Sequence, residues 1–282
     1  MISYLRKPIF GSVMLIALVS TANSASRSNT GDVPDPSPGS VIRQVYGDSI
    51  EGEVSDDSTS SQLASYNGGH VVSLWYNYHF TLSGRQYYTG FTVLEPAEGS
   101  TSYSGVLFGH LTYVLKNDDG KPSWVSSYGD RATAEVPGIM RAPQIDDTRS
   151  PQTFITSDKN LVLAIPTTDF ENGETFTNFT VFSFDPNKND LGDYKSWTYL
   201  GTVAAGGENS ANCGEGLPMP CVSSTGNLSF VAPTRGASKM PTIRVTLSGT
   251  EVAGPGETKA LGTADAVNYK INTTTKQYEQ SE

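Results

Sequence analysis

Large apolar and polar side chains alternate with a period of two through much of the chain, the signature of β-strands with one face buried. The clearest case is His70–Leu82, where His70, Val72, Leu74, Tyr76, Tyr78, Phe80 and Leu82 fall on one side. Ser83-Gly84 follows as a tight turn, and Arg85–Leu94 is again strand-like, which predicts a hairpin. A two-residue turn sets Phe80 opposite Tyr87, Tyr78 opposite Thr89, Tyr76 opposite Phe91 and Leu74 opposite Val93. A slip of one residue would turn that apolar set to the other face.

Further strands are expected over Gly105–Lys116 and Ser123–Tyr128, joined by the turn Asn117-Asp-Asp-Gly120. Leu161–Ile165 is a continuous apolar run, as in a strand covered on both faces. Phe176–Phe184, Thr198–Val203, Asn227–Val231, Thr242–Leu247 and Ala266–Ile271 complete the set. No segment carries a sustained 3.6-residue apolar stripe with caps, so helices should be few. The fold class is therefore all-β, an antiparallel sandwich or a barrel-like closure.

The motif aromatic-T-x-F-T-V occurs twice, as Tyr88–Val93 and as Phe176–Val181, each soon after a glycine turn. The glycine-to-motif spacing differs by one residue. Two similar β halves, 67–148 and 149–282, are one reading of this echo, and shared β-strand composition is the other. Arg141–Pro151, with two prolines and Asp146-Asp147, is the natural boundary.

The first 24 residues break the pattern. Arg6 and Lys7, then the apolar stretch Ile9–Val19, then Ala22-Asn23-Ser24 form a cleavable secretory signal, with cleavage before Ala25. The apolar stretch is shorter than the roughly 20 residues a membrane span needs. Cleavage leaves 258 of the 282 residues, without membrane insertion, in a periplasmic or secreted location. Residues 25–66 are rich in Ser, Asp, Gly and Pro and read as a flexible low-complexity leader, in which Val41–Tyr46 could dock as a turn of helix or an edge strand.

Charge and cysteines add two constraints. Losing Arg6 and Lys7 takes the net charge from −10 to −12, which disfavours nucleic acid and suits a cationic partner or an ordinary acidic surface. The two cysteines, Cys213 and Cys221, have seven residues between them in a chain read as exported, and predict one local disulfide. Closing that Gly/Pro-rich loop stabilises by about 2–3 kcal/mol.

Catalytic and metal signatures are sparse. His70 and His79 are an odd number apart on one strand, so they point to opposite faces unless a bulge intervenes, which argues against a metal site. Asp185–Asp193 offers alternating oxygen ligands, but Asp190 and Ser196 stand where an EF-hand needs glycine and glutamate, so a polar loop is the better reading. Asp130, Glu135, Asp169 and Glu208 are candidate acids that the sequence alone brings together in no pair. No cofactor is called for.

One binding constellation does follow from the register. On the hairpin's other side His79 faces Tyr88, Trp75 faces Thr92, and Gly90 lies across from Asn77, leaving a hollow edged by aromatics. Trp75, His79, Tyr88 and Gly90 would suit a sugar ring or a partner's side chain; the alternative is a covered face on which the glycine makes room for a neighbour. Three functions compete: an exported cell-envelope binding protein of inhibitor or immunity type acting on a cationic partner, a carbohydrate-binding module, and an envelope hydrolase. The partner would be a protein or glycan of the envelope.

Overall fold

The computed structural model describes residues 33–51, 64–66, 69–97, 105–136, 139, 141–191, 195–214, 219–234 and 239–281. Residues 1–24, expected to be a secretory signal, and the expected cleavage site before Ala25 lie outside these residues. Among them are two antiparallel sheets, one α-helix and two short 3-10 turns.

The first sheet contains β1 (Ile50–Glu51), β2 (Ala64–Tyr66), β3 (His70–Leu82), β4 (Arg85–Pro96), β5 (Val106–Asp118) and β6 (Lys121–Val136), hydrogen-bonded in chain order. This is a meander, the arrangement that tight turns between long alternating strands favour. Ser83 and Asp119, each followed by glycine, take positive φ, the backbone that two-residue hairpin turns require.

The second sheet contains β7 (Gln144–Ile145), β8 (Gln152–Ile155), β9 (Leu161–Glu171), β10 (Glu174–Phe184), β11 (Trp197–Glu208), β12 (Ser223–Val231), β13 (Thr242–Gly254), β14 (Glu257–Leu261), β15 (Val267–Ile271) and β16 (Tyr278–Ser281). Its main path runs β16-β15-β13-β12-β11-β10-β9-β7, with β14 on β13 and β8 on β9. The chain passes from one sheet to the other between Val136 and Gln144. From Pro34 onward the described residues belong to one compact unit.

Two apolar layers hold this unit together. Tyr87, Phe91 and Phe108 of the first sheet meet Phe182, Phe184 and Trp197 of the second, with Phe91 centred 4.9 Å from both Phe182 and Trp197. Edge-to-face geometry adds about 0.5–1.5 kcal/mol per pair beyond area burial. Leu161, Leu163 and Ile165 point into this layer, whereas Val162 and Ala164 point away. Those outward residues form a second layer with Val181, Val203, Ile243, Val245 and Tyr269. The run 161–165 is thus covered on both faces, as its unbroken apolarity implies.

The second layer closes because the ten-stranded sheet turns a corner. Strands β11 and β12 pair only at Gly206–Glu208 with Ser223–Thr225 and then diverge. Gly206, at φ 115°, supplies a backbone that L side chains rarely adopt, and its side-chain position is taken by the Ser224 carbonyl. Tyr269 then donates its hydroxyl to the Ala204 carbonyl at 3.3 Å, tying the folded-over strands to β11.

Part of the stretch read from composition as a flexible leader is helical. Residues Pro38–Tyr46 form α1, with Ser37 Oγ accepting from the Ser40 amide at 3.2 Å and proline at the first helical position. Val41, Ile42 and Tyr46 are buried against the first sheet's outer face. Three apolar residues on one face outweigh an otherwise polar composition, so the expected docking around Val41–Tyr46 takes the form of a helix.

Candidate functional site

The hairpin β3/β4 has the expected register from Leu82–Arg85 back to Tyr76–Phe91, including His79 opposite Tyr88 and Asn77 opposite Gly90. Beyond that point a β-bulge intervenes, and Leu74, not Trp75, lies opposite Thr92, with Ser73 opposite Val93. The pairings Trp75–Thr92 and Leu74–Val93 are therefore corrected. A bulge inserts one unpaired residue and reverses the facing of everything past it. Here it turns Trp75 inward. Its indole packs edge-on against Phe108 at 4.9 Å and donates Nε1–H to the Pro143 carbonyl at 2.7 Å.

The same bulge overturns the parity argument about histidines. His70 and His79 share the outer face, but nine residues at about 3.3 Å each hold them roughly 30 Å apart. Among the described residues no group of three or more His, Cys, Asp or Glu is placed to hold a metal ion.

His79, Tyr88 and Gly90 do share a face, and α1 lies on it. A side chain begun at Gly90 would meet Val41 Cγ1 at 2.9 Å and Leu74 Cδ1 at 3.1 Å, so the hollow above the glycine is filled by Val41. Tyr88 is 2% exposed, and its hydroxyl donates to the Pro36 carbonyl at 3.4 Å. Burial, with Asp35 beside it, raises the Tyr88 pKa well beyond the ordinary phenol value. His79 stays half-exposed, its Nε2 2.9 Å from Asp35 Oδ2. Trp124 of β6 completes the group, 5.7 Å from His79 and 6.1 Å from Tyr88 between ring centres. Sequence reasoning missed Trp124 because β6 is two strands away from β4. The Ser37-Pro38 start of α1 was the available signal that the hollow had an occupant.

A buried polar group lies between the sheets. His110 Nε2 is 3.1 Å from Ser196 Oγ and 3.4 Å from Asp190 Oδ2, and Ser196 donates its hydroxyl to Asp190 at 2.7 Å. His110 Nδ1 contacts Thr133 Oγ1 at 2.7 Å. Burial acts to raise the Asp190 pKa, but hydrogen bonds from His110 and Ser196 outweigh it and hold the carboxyl below its usual value. The residue types match a nucleophile, a base and an acid. The wiring does not, since in a working triad the serine bonds the imidazole while the carboxylate orients the other ring nitrogen. Here Ser196 contacts both the imidazole and the carboxylate, Asp190 approaches the same Nε2 while Thr133 takes Nδ1, and His110 and Ser196 are both fully buried. The group satisfies polar atoms in the core. In the described part of the loop, residues 185–191, Asp190 turns inward to Ser196, while Asp185 accepts from the Asn187 amide at 3.0 Å.

The candidate acids are separated. Asp130 pairs with Lys195 at 2.5 Å, and Glu135 lies on the other face of β6. Asp169 and Glu208 project from opposite faces of the second sheet. Asp169 accepts from Asn178 Nδ2 at 3.0 Å, and Glu208 accepts from Thr175 Oγ1 at 2.9 Å.

Cys213 and Cys221 form the expected disulfide, with Cα atoms 5.0 Å apart. Asn209 closes the loop's base: its Nδ2 donates to the Pro220 carbonyl and its Oδ1 accepts from the Val222 amide, at 3.0 and 2.9 Å. Asn212 reaches out and donates to the Asn172 carbonyl at the tip of hairpin β9/β10. Phe170, on that hairpin, is 70% exposed, and Phe176 is 38% exposed. Burying a phenylalanine is worth about 1.5–3 kcal/mol, so leaving two at one tip forgoes an available gain.

No family model, curated protein or solved structure matches the chain.

Proposed function

We propose that the protein is exported and acts in the cell envelope as a binding protein of inhibitor or immunity type on a cationic partner. The observation that carries this reading is a hairpin tip that presents exposed phenylalanine beside carboxylates and is braced by Asn212, next to the Cys213–Cys221 disulfide. A rigid element of that kind loses little entropy on binding. The net charge of −10, or −12 once a signal is removed, supports steering toward a basic surface. The secretory pattern of residues 1–24 and the paired cysteines support a periplasmic or secreted location. The sugar platform loses its support because Val41 fills the hollow at Gly90, and the hydrolase reading because the acids lie apart and the serine–histidine group is buried.

The test is retention of envelope proteins on the immobilised mature protein over a salt series. A basic protein that is held at low ionic strength and released as the Debye length shortens is the expected result. Binding to an acidic protein, or binding indifferent to salt, would overturn the reading.

A further inference from the structure

The hairpin β9/β10 differs from an ordinary sandwich hairpin in exposing an aromatic side chain on each face. Phe170 pairs across the turn with Thr175 and shares its face, whereas Phe176 pairs with Asp169 and points to the opposite side. Phe170 is the more exposed of the two, and no large apolar side chain among the described residues is more exposed than it. A flat contact surface would cover only one of these rings. A cleft covers both.

The charges carried by the hairpin itself have one sign, and Arg149, which donates to the Thr167 and Asn178 carbonyls, is paired with Asp146. Asp169, Glu171 and Glu174 stand on the hairpin, and Glu208 lies beside it on β11. Residues 160–187 and 196–234 contain no lysine, arginine or histidine, so these segments supply no internal counter-charge. The Asp169 pKa is raised, by partial burial first and by the neighbouring Glu171 as well, against a hydrogen bond from Asn178 that lowers it.

The tip is also braced. Asn212, next to the disulfide, donates to the Asn172 carbonyl. Thr175 bonds Glu208 at 2.9 Å, and Asn178 bonds Asp169 at 3.0 Å. The hairpin is thus held in place before any partner arrives, which spares the entropy of ordering it on binding.

From this geometry we infer that residues 169–176, braced by the stapled loop, form a finger that inserts into a protein cleft with apolar walls and a rim of lysine and arginine. Phe170 and Phe176 each meet one wall, and the four carboxylates pair with the rim. The inference rests on the binding-protein reading and gives it a contact surface.

The experiment immobilises four forms of the mature chain: wild type, Phe170→Ala, Glu171→Lys with Glu174→Lys, and Ile155→Ala. Ile155 is an equally suitable apolar control, 55% exposed and paired with Leu161 at the far end of β9, roughly 30 Å from Phe170. The probe is the envelope fraction of the producing cells, read by mass spectrometry, with thermal melting confirming that each form folds. The expected result is a basic protein retained by wild type and Ile155→Ala, and reduced at least tenfold by Phe170→Ala. The charge reversal should reduce it further and flatten its salt dependence. A photo-reactive phenylalanine at position 170, but not at 155, should crosslink to the same protein. Retention of a basic protein that ignores both tip variants overturns the finger and leaves the binding-protein reading standing. If wild type retains no basic protein, both fall.

Discussion

The two hairpins that carry the motif aromatic-T-x-F-T-V use it in opposite ways. In β3/β4 the turn is Ser83-Gly84, and Phe91 of the motif is fully buried in the layer between the sheets. In β9/β10 the turn is Asn172-Gly173, and the equivalent Phe179 faces the second layer, on the other side of its sheet. The motif begins four residues after the glycine in the first hairpin and three in the second. With a side-chain period of two, that single residue exchanges the faces. The first aromatic changes role as well: Tyr88 is sealed under α1, whereas Phe176 is left partly in solvent. Similar strand sequences therefore do not make similar surfaces, and the resemblance between the halves ends at the facing of the side chains.

The contrast is sharpest in what a large aromatic does in each hairpin. Trp75→Ala should cost about 3 kcal/mol, since it empties a partly buried ring site packed on the core and orphans the Pro143 carbonyl. Phe170→Ala should change stability by no more than about 0.5 kcal/mol. Equal losses in the two variants, measured by denaturant unfolding, would erase the distinction.

Removing the brace on the second hairpin comes next. Replacing Cys213 and Cys221 together by serine should cost about 2–3 kcal/mol. The loss should appear with faster proteolysis of 209–222 while the β3/β4 amides keep their hydrogen-exchange protection. Uniform loosening of both hairpins would mean that the loop braces the whole unit.

Gly90→Ala tests the covering of the first hairpin. The new methyl would press on Val41 Cγ1, at a cost of about 1–2 kcal/mol. Combined with Val41→Ala, the total should fall short of the sum by about 0.5–1 kcal/mol. Strict additivity would show that Val41 does not occupy the hollow.

The smallest effect should come from Asp169 on the second hairpin. Its folded pKa is raised, so ionisation costs stability above that value and costs nothing below the unfolded value near 3.9. Asp169→Asn should therefore be slightly more stable than wild type at neutral pH, by on the order of 0.5 kcal/mol or less. The advantage should fade as the pH falls toward the ordinary carboxylate range. An advantage that grows on acidification would reverse the assignment.

Much of the architecture was legible in advance. Strands β3, β4, β5, β9, β10, β12 and β13 start or centre where alternation and turn residues put them, because an apolar period of two and a Ser-Gly or Asp-Gly turn are local properties. The strands missed altogether, β1, β2, β7, β8, β14 and β16, are short segments of two to five residues, too brief for a period to register. Of the proposed platform, His79, Tyr88 and Gly90 were placed on the right face, and Trp75 was not. A bulge carries no distinct sequence mark here; Leu74, Trp75 and Tyr76 are all suited to burial, and alternation cannot tell which one is the extra residue.

The sequence by itself determined the all-β class, the hairpin turns, the disulfide pairing and the excess of negative charge, since each depends on neighbours along the chain or on simple counts. The tertiary structure alone decided which aromatics are core and which are surface. Trp75 went inward because the second sheet offered a layer of rings to pack against. The Gly90 hollow was closed by a helix some fifty residues earlier, and Phe170 was left in water because, among the described residues, no strand folds over the β9/β10 tip. Such outcomes depend on packing between segments far apart in sequence, whose energies no local pattern records.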